Sequence, residues 1–157
     1  MHALLPFFQW CNDTAIGAAI RNSRTLFPII ESIHLLALTL LLGTIVVLDL
    51  RLLGAGLRKQ PLPLIARALS PLTFWSLLTM LATGFLLFAS EAMKSYDSPP
   101  FRFKMVALAL ALVFHFGVFR VAVNSETLGR VRSVVTATLS LTLWFGVAVA
   151  GRAIGFY

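Results

Sequence analysis

Near the head of its first long apolar run the chain reads ESIH, with Glu31 and His34 three residues apart. On a helix that spacing puts both side chains on one face. Di-iron carboxylate bundles use a Glu-x-x-His step twice and add two further glutamates. Here the step occurs once within the apolar runs, and Glu91 is the only other acid at a comparable level. A di-metal centre is therefore the weakest of the metal readings. Haem asks for less. His34 and His115 are the two histidines inside apolar runs, and a neutral imidazole on a bundle helix is a good axial ligand for haem iron. Haem b is thus the expected cofactor, with His34 and His115 as metal ligands. Met80 is an alternative second ligand, and Trp144 can pack on the macrocycle. Arg21, Arg24, Arg102 and Lys104 are available to its propionates.

Depth argues against the simplest pairing. His34 lies about seven residues into its run and His115 about twelve, which puts them roughly 10 and 18 Å deep. Ligands to one iron must sit nearly level, so a gap of about 8 Å opposes a direct His34–His115 pair. The plainer reading is that each histidine bonds a neighbouring helix or the headgroup region, since polar side chains tie membrane helices together. Glu31 then orients His34, or pairs with Arg21, Arg24 or Lys104 at the rim. Asp49 and Arg51, at the foot of the same run, read as an interfacial ion pair or anchor, worth little if exposed. Glu91 and Lys94 read as a local i, i+3 pair. No phosphate-binding, dinucleotide, nucleophile-elbow or zinc-protease motif occurs, so no autonomous catalytic activity is expected. With one cysteine, Cys11, the chain has no intramolecular disulfide.

The elements that must carry these residues follow from composition. Of 157 residues, 59% are hydrophobic and 12% charged, against about a half and a quarter in soluble domains. Four continuous apolar runs, near 27–50, 72–90, 103–123 and 134–151, suit a bilayer that needs about 20 helical residues per crossing. Their lack of alternation favours helices over barrel strands. The fold class is all-α, a single antiparallel four-helix membrane bundle, preceded by a short interfacial helix near 12–21 capped by Asn12, Asp13 or Thr14. Ser70-Pro71 is expected to open the second span, and YDSPPF to turn the chain into the third. Ser76, Thr83 and Ser90, then Ala107 and Ala111, then Thr136, Ser140, Val147 and Gly151 form small or weakly polar stripes that let helices approach. The net charge of +7 is spread singly between apolar runs, which excludes a nucleic-acid footprint. Seven basic residues (Arg51, Arg58, Lys59, Arg67, Arg120, Arg130, Arg132) face six on the other side. That near tie leans to both termini periplasmic in a bacterial inner membrane. Trp10, Tyr96 and Tyr157 would form an interfacial belt on the side of the termini, with Trp75 on the other.

One longer stretch carries a resemblance. The pattern IR-x-S, P-x-x-E-x-x-H and DLRLLG, here Ile20, Arg21, Ser23, Pro28, Glu31, His34 and Asp49 to Gly54, resembles the signature of an uncharacterised family of small bacterial four-span membrane proteins. A second block, with Gly84, Glu91, Pro100, Phe101, Arg102 and Lys104, is similar to the same family. The family's function is unknown, so the resemblance implies a fold. A looser similarity, through His34 and the general layout, is to the copper-resistance D and HemJ types, and the HemJ likeness implies haem b. The expected role is therefore an inner-membrane haem or electron-transfer subunit in the lipid bilayer. The rival is a non-catalytic accessory subunit of a larger membrane complex or homo-oligomer. A small metal or solute transporter ranks last, because inverted repeats and broken helices are missing.

Overall fold

A computed structural model of the chain describes residues 4–56, 59–125 and 128–156. Two short helices lead, α1 (Leu5–Asn12) and α2 (Ala15–Asn22). Then come α3 (Leu26–Leu52), α4 (Leu62–Ser90), the one-turn α5 (Ala92–Tyr96), α6 (Pro99–Val123) and α7 (Arg130–Ile154). The four long helices are each long and apolar enough to cross a membrane. This is the architecture of a multi-pass, all-α membrane bundle. Two sequence positions, Arg58 and Tyr157, lie outside the described residues.

Thr14 separates the leading helices. Its hydroxyl donates to the Cys11 carbonyl at 2.8 Å and accepts from the Gly17 amide at 3.2 Å, which caps α2. The pair then docks on the last turn of α4. Arg21 Nη1 donates to the Ser90 carbonyl at 2.9 Å and to Asn12 Oδ1 at 2.9 Å. A Cβ on Gly17 would lie 2.5 Å from the Ala89 carbonyl oxygen, so only glycine allows this approach. An interfacial helix at 12–21 thus becomes two helices fastened to the bundle.

α4 begins about ten residues earlier than the apolar run suggests, and Pro71 lies inside it. The expectation that Ser70-Pro71 opens the span is corrected. Leu62, Ile65, Ala66 and Leu69 repeat at helical spacing and pack against the cluster of Leu52 and Phe119. That packing sustains the helix through the one backbone bond a proline cannot donate, as membrane helices commonly tolerate.

The interior divides into two apolar clusters. The one nearer the termini is built on Leu41, Ile45, Leu77, Met80, Ala111 and Trp144. The far one is built on Leu48, Leu52, Ala66, Phe119, Val123 and Ala137. Buried Ser76, Thr83, Ser90, Ala107, Ala111, Thr136, Ser140 and Val147 lie on the expected stripes. Small side chains there bring the helix backbones together.

Candidate functional site

The two histidines sit in different surroundings. His34 is buried between α3 and α4, with Nδ1 3.0 Å from Thr83 Oγ1. The Thr83 hydroxyl has one proton, and the Thr79 carbonyl lies 2.6 Å from its oxygen. That short bond takes the proton, so His34 Nδ1–H donates to Thr83 and Nε2 keeps its lone pair. Gly84 makes the space: a Cβ there would lie 3.2 Å from His34 Cε1. Lys104 acts on His34 electrostatically from α6 and packs along Gly151 of α7. Glu31, one turn earlier on α3, is exposed. Among the described residues Glu31 has no hydrogen bond or ion pair; Thr83, not Glu31, orients the imidazole.

His115 lies deeper. It shares α6 with Lys104 but comes eleven residues later, roughly 16 Å at about 1.5 Å per residue. There α6 loosens into a π-helical segment, His115–Phe119. The ring stacks on Phe119 at 5.2 Å and meets Trp144 edge-on at 6.0 Å. Trp144 therefore lies at the level of His115 rather than that of His34. It is 1% exposed, and its Nε1 has no hydrogen-bond partner among the described residues. His115 Nδ1 is likewise buried and unpartnered.

Asp49 corrects a second expectation. Its residue exposure is 0%, and neither carboxylate oxygen has a hydrogen-bond partner among the described residues. It is no interfacial ion pair with Arg51, whose guanidinium turns outward to the Gln60 carbonyl at 3.1 Å. Ser140 of α7 is the polar neighbour of Asp49, yet Ser140 Oγ also lacks hydrogen-bonding geometry with any described residue. Thr73 Oγ1 of α4 donates to Thr44 Oγ1 of α3 at 3.0 Å. On three of the long helices, α4, α6 and α7, buried or half-buried polar residues fall between the contributions to the two apolar clusters. On α4 Thr73 and Ser76 lie between Leu77 and Leu69, whereas on α3 Asp49 comes just after Leu48, within the far cluster's own stretch. On α6 His115 lies between Ala111 and Phe119, and on α7 Ser140 lies between Trp144 and Ala137. The polar residues of α4, α6 and α7 thus form a layer between the apolar clusters, which Asp49 of α3 meets through Ser140.

This layer is what sequence reasoning missed. The sequence reads Asp49 as interfacial because it stands at the foot of its apolar run, two residues before Arg51. The available signal was the coincidence of Thr44, Thr73, His115 and Ser140 at matched helix positions.

A haem held between His34 and His115 does not fit this packing. The two imidazoles are about ten residues apart in level, and Trp144, Leu41, Ile45 and Met80 fill the space between. Nor does the macrocycle fit between His34 and Met80, since the ring of His34 rests directly on Gly84 and the Met80–Thr83 turn. The cationic residues are dispersed. Arg21 is committed to Asn12 and Ser90, Arg102 donates to the Tyr96 carbonyl at 2.8 Å, and Arg24 is exposed. No three His, Cys, Asp or Glu side chains among the described residues converge on a metal position. The one ion pair among those residues is the expected Glu91–Lys94, 3.9 Å apart and exposed.

No curated protein and no solved structure matches the chain. Residues 7–157 match a family of unknown function, DUF6644, and over that length the chain belongs to it.

Proposed function

We propose that this protein handles protons inside the membrane, with Asp49 as the exchanging group and Ser140 and His115 as its polar companions. One observation carries the reading: a carboxylate with 0% exposure whose two oxygens are both without a hydrogen bond among the described residues. An unpaired charge in such a place costs several kcal/mol or more. Acids and histidines inside spans are characteristic of proton relays and ion paths. A second support is the π-helical turn that starts at His115, a distortion frequent at functional sites. It rearranges the backbone of α6 beside an unpartnered imidazole nitrogen. Infrared difference spectra of the protein in vesicles, taken across a pH step, test this. The C=O band of a protonated carboxylic acid should appear and vanish with pH, and Asp49→Asn should abolish it. A spectrum unchanged by pH, or a band that survives in Asp49→Asn, overturns the proposal.

A second reading is haem b bound at His34 alone, with electron transfer as the role. It rests on the Thr83 contact, because a partner that fixes Nδ1–H presents Nε2 to a metal. Lys104, half-buried beside His34, would face a propionate. The test is a Soret band in protein from haem-replete cells. This reading expects it to vanish in His34→Ala and persist in His115→Ala. No band, or one that needs both histidines, rejects it.

A further inference from the structure

A groove of about 500 Å³ runs along the far end of the bundle, between the π-helical part of α6 and the first turns of α7. Its walls are apolar: Gly117, Val118 and Val121 on one side, Val131 and Val135 on the other. Gly117 leaves open space, since a Cβ there would meet nothing within 4 Å. A shallower hollow of about 430 Å³, lined by Gly129, Arg130, Val131 and Arg132, continues it toward the helix end. Val131 and Arg132 line both, so the two form one path from apolar wall to arginine pair. The Arg130 guanidinium is set by the turn after α3. Gly54 has φ of +79°, and a Cβ there would lie 2.6 Å from Arg130 Nη1, so glycine leaves the room. Arg132 is exposed and has no hydrogen bond or ion pair among the described residues.

We propose that this groove binds one anionic phospholipid, an acyl chain along Val118, Val121 and Val135 and the phosphate at Arg130 and Arg132. The groove matches such a lipid in both shape and charge. A zwitterionic lipid would satisfy the walls and leave the arginine pair uncompensated, whereas a soluble anion would satisfy the arginines and leave the walls bare. Basic pockets between membrane helices select anionic headgroups on these grounds. The site is separate from the Asp49 layer and does not depend on the proton reading.

The full chain, reconstituted in vesicles of equal phosphatidylglycerol and phosphatidylcholine and released into mild detergent, tests the proposal by native mass spectrometry. One phosphatidylglycerol per chain should be retained in preference to phosphatidylcholine. Arg132→Gln should lower that preference by about fivefold, the factor for one basic side chain at an anionic lipid surface. Val121→Trp, a substitution at an exposed groove wall, should reduce retention of either lipid. Equal retention of both lipids, or a preference unchanged in Arg132→Gln, overturns the site. So does retention unchanged in Val121→Trp, which would reduce the effect to surface charge alone.

Discussion

At the level nearer the termini, His34 has a threonine to bond, a glycine that makes room and a lysine beside it. At the deeper level, Asp49, Ser140, His115 and Trp144 hold five buried polar atoms with no hydrogen bond among the described residues. Both levels bury ionisable groups in a bundle of apolar helices. The first meets the ordinary requirement that a buried polar group be bonded. The second leaves it unmet, on residues drawn from α3, α6 and α7. A native fold that keeps unsatisfied groups together does so at a cost of about 1–3 kcal/mol each. The difference separates an anchoring histidine from a layer with capacity to take up a proton.

The largest expected effect falls on the side chain that closes the deeper level. Trp144 is among the largest fully buried side chains and belongs to the near-end apolar cluster. Trp144→Ala should cost about 3–5 kcal/mol, the usual range for emptying a packed aromatic site. Unfolding followed by circular dichroism in mild detergent measures it. A loss under about 1 kcal/mol would mean that the cluster is not packed as described.

The contrast between levels is sharpened by a matched pair of replacements. Asp49→Leu removes a carboxylate with no bonds to lose, so stability should rise by about 1–3 kcal/mol. His34→Leu removes a made hydrogen bond, so stability should fall by about 1 kcal/mol. The same unfolding measurement reads both. If Asp49→Leu destabilises as much as His34→Leu, the carboxylate has a partner in the membrane and the two levels are alike.

Much of this architecture was legible in the sequence. Span number, helical class and the stripes of Ser76, Thr83, Ala107 and Ser140 follow from hydropathy and spacing, properties local to each helix. The start of α4 was hidden because a proline reads as a boundary, while the Leu62, Ile65, Ala66, Leu69 pattern that overrides it acts through tertiary packing. His34 was singled out, but not its partner, because Thr83 is 49 residues away. Asp49 was misplaced for a related reason. Its neighbours in sequence are those of a span end, whereas its neighbours in space are set by α7. Which residues share a level depends on how far each helix is slid along the others, and a single sequence does not record that register.

Gly84 tests the near-end level with a smaller perturbation. Gly84→Ala places a methyl group 3.2 Å from His34 Cε1, which should cost about 1 kcal/mol, the low end for overpacking. In a His34→Ala background the same change should be nearly neutral. The expected coupling exceeds about 0.5 kcal/mol, as for residues in contact. Additive effects would mean that the imidazole does not lie on Gly84.

The smallest effect is reported by Cys11, 1% exposed under the α1–α2 clamp. Burial pushes its thiol above the ordinary value of 9.0, because the thiolate would be poorly solvated there. A thiol raised in this way adds stability in full below its unfolded titration, and that stability is lost as pH rises through the folded value. The clamp should therefore weaken only on the alkaline side of about 9. Alkylation at neutral pH should be slow and should proceed through local opening. Arg21→Gln deletes the bonds to Ser90 and Asn12, and about 1 kcal/mol of lost local stability would speed alkylation about fivefold. Trp144→Phe, at the deeper level, should leave the rate unchanged. Acceleration by both variants would mean that the two levels open together, and the distinction between an anchored end and an exchanging centre would then fail.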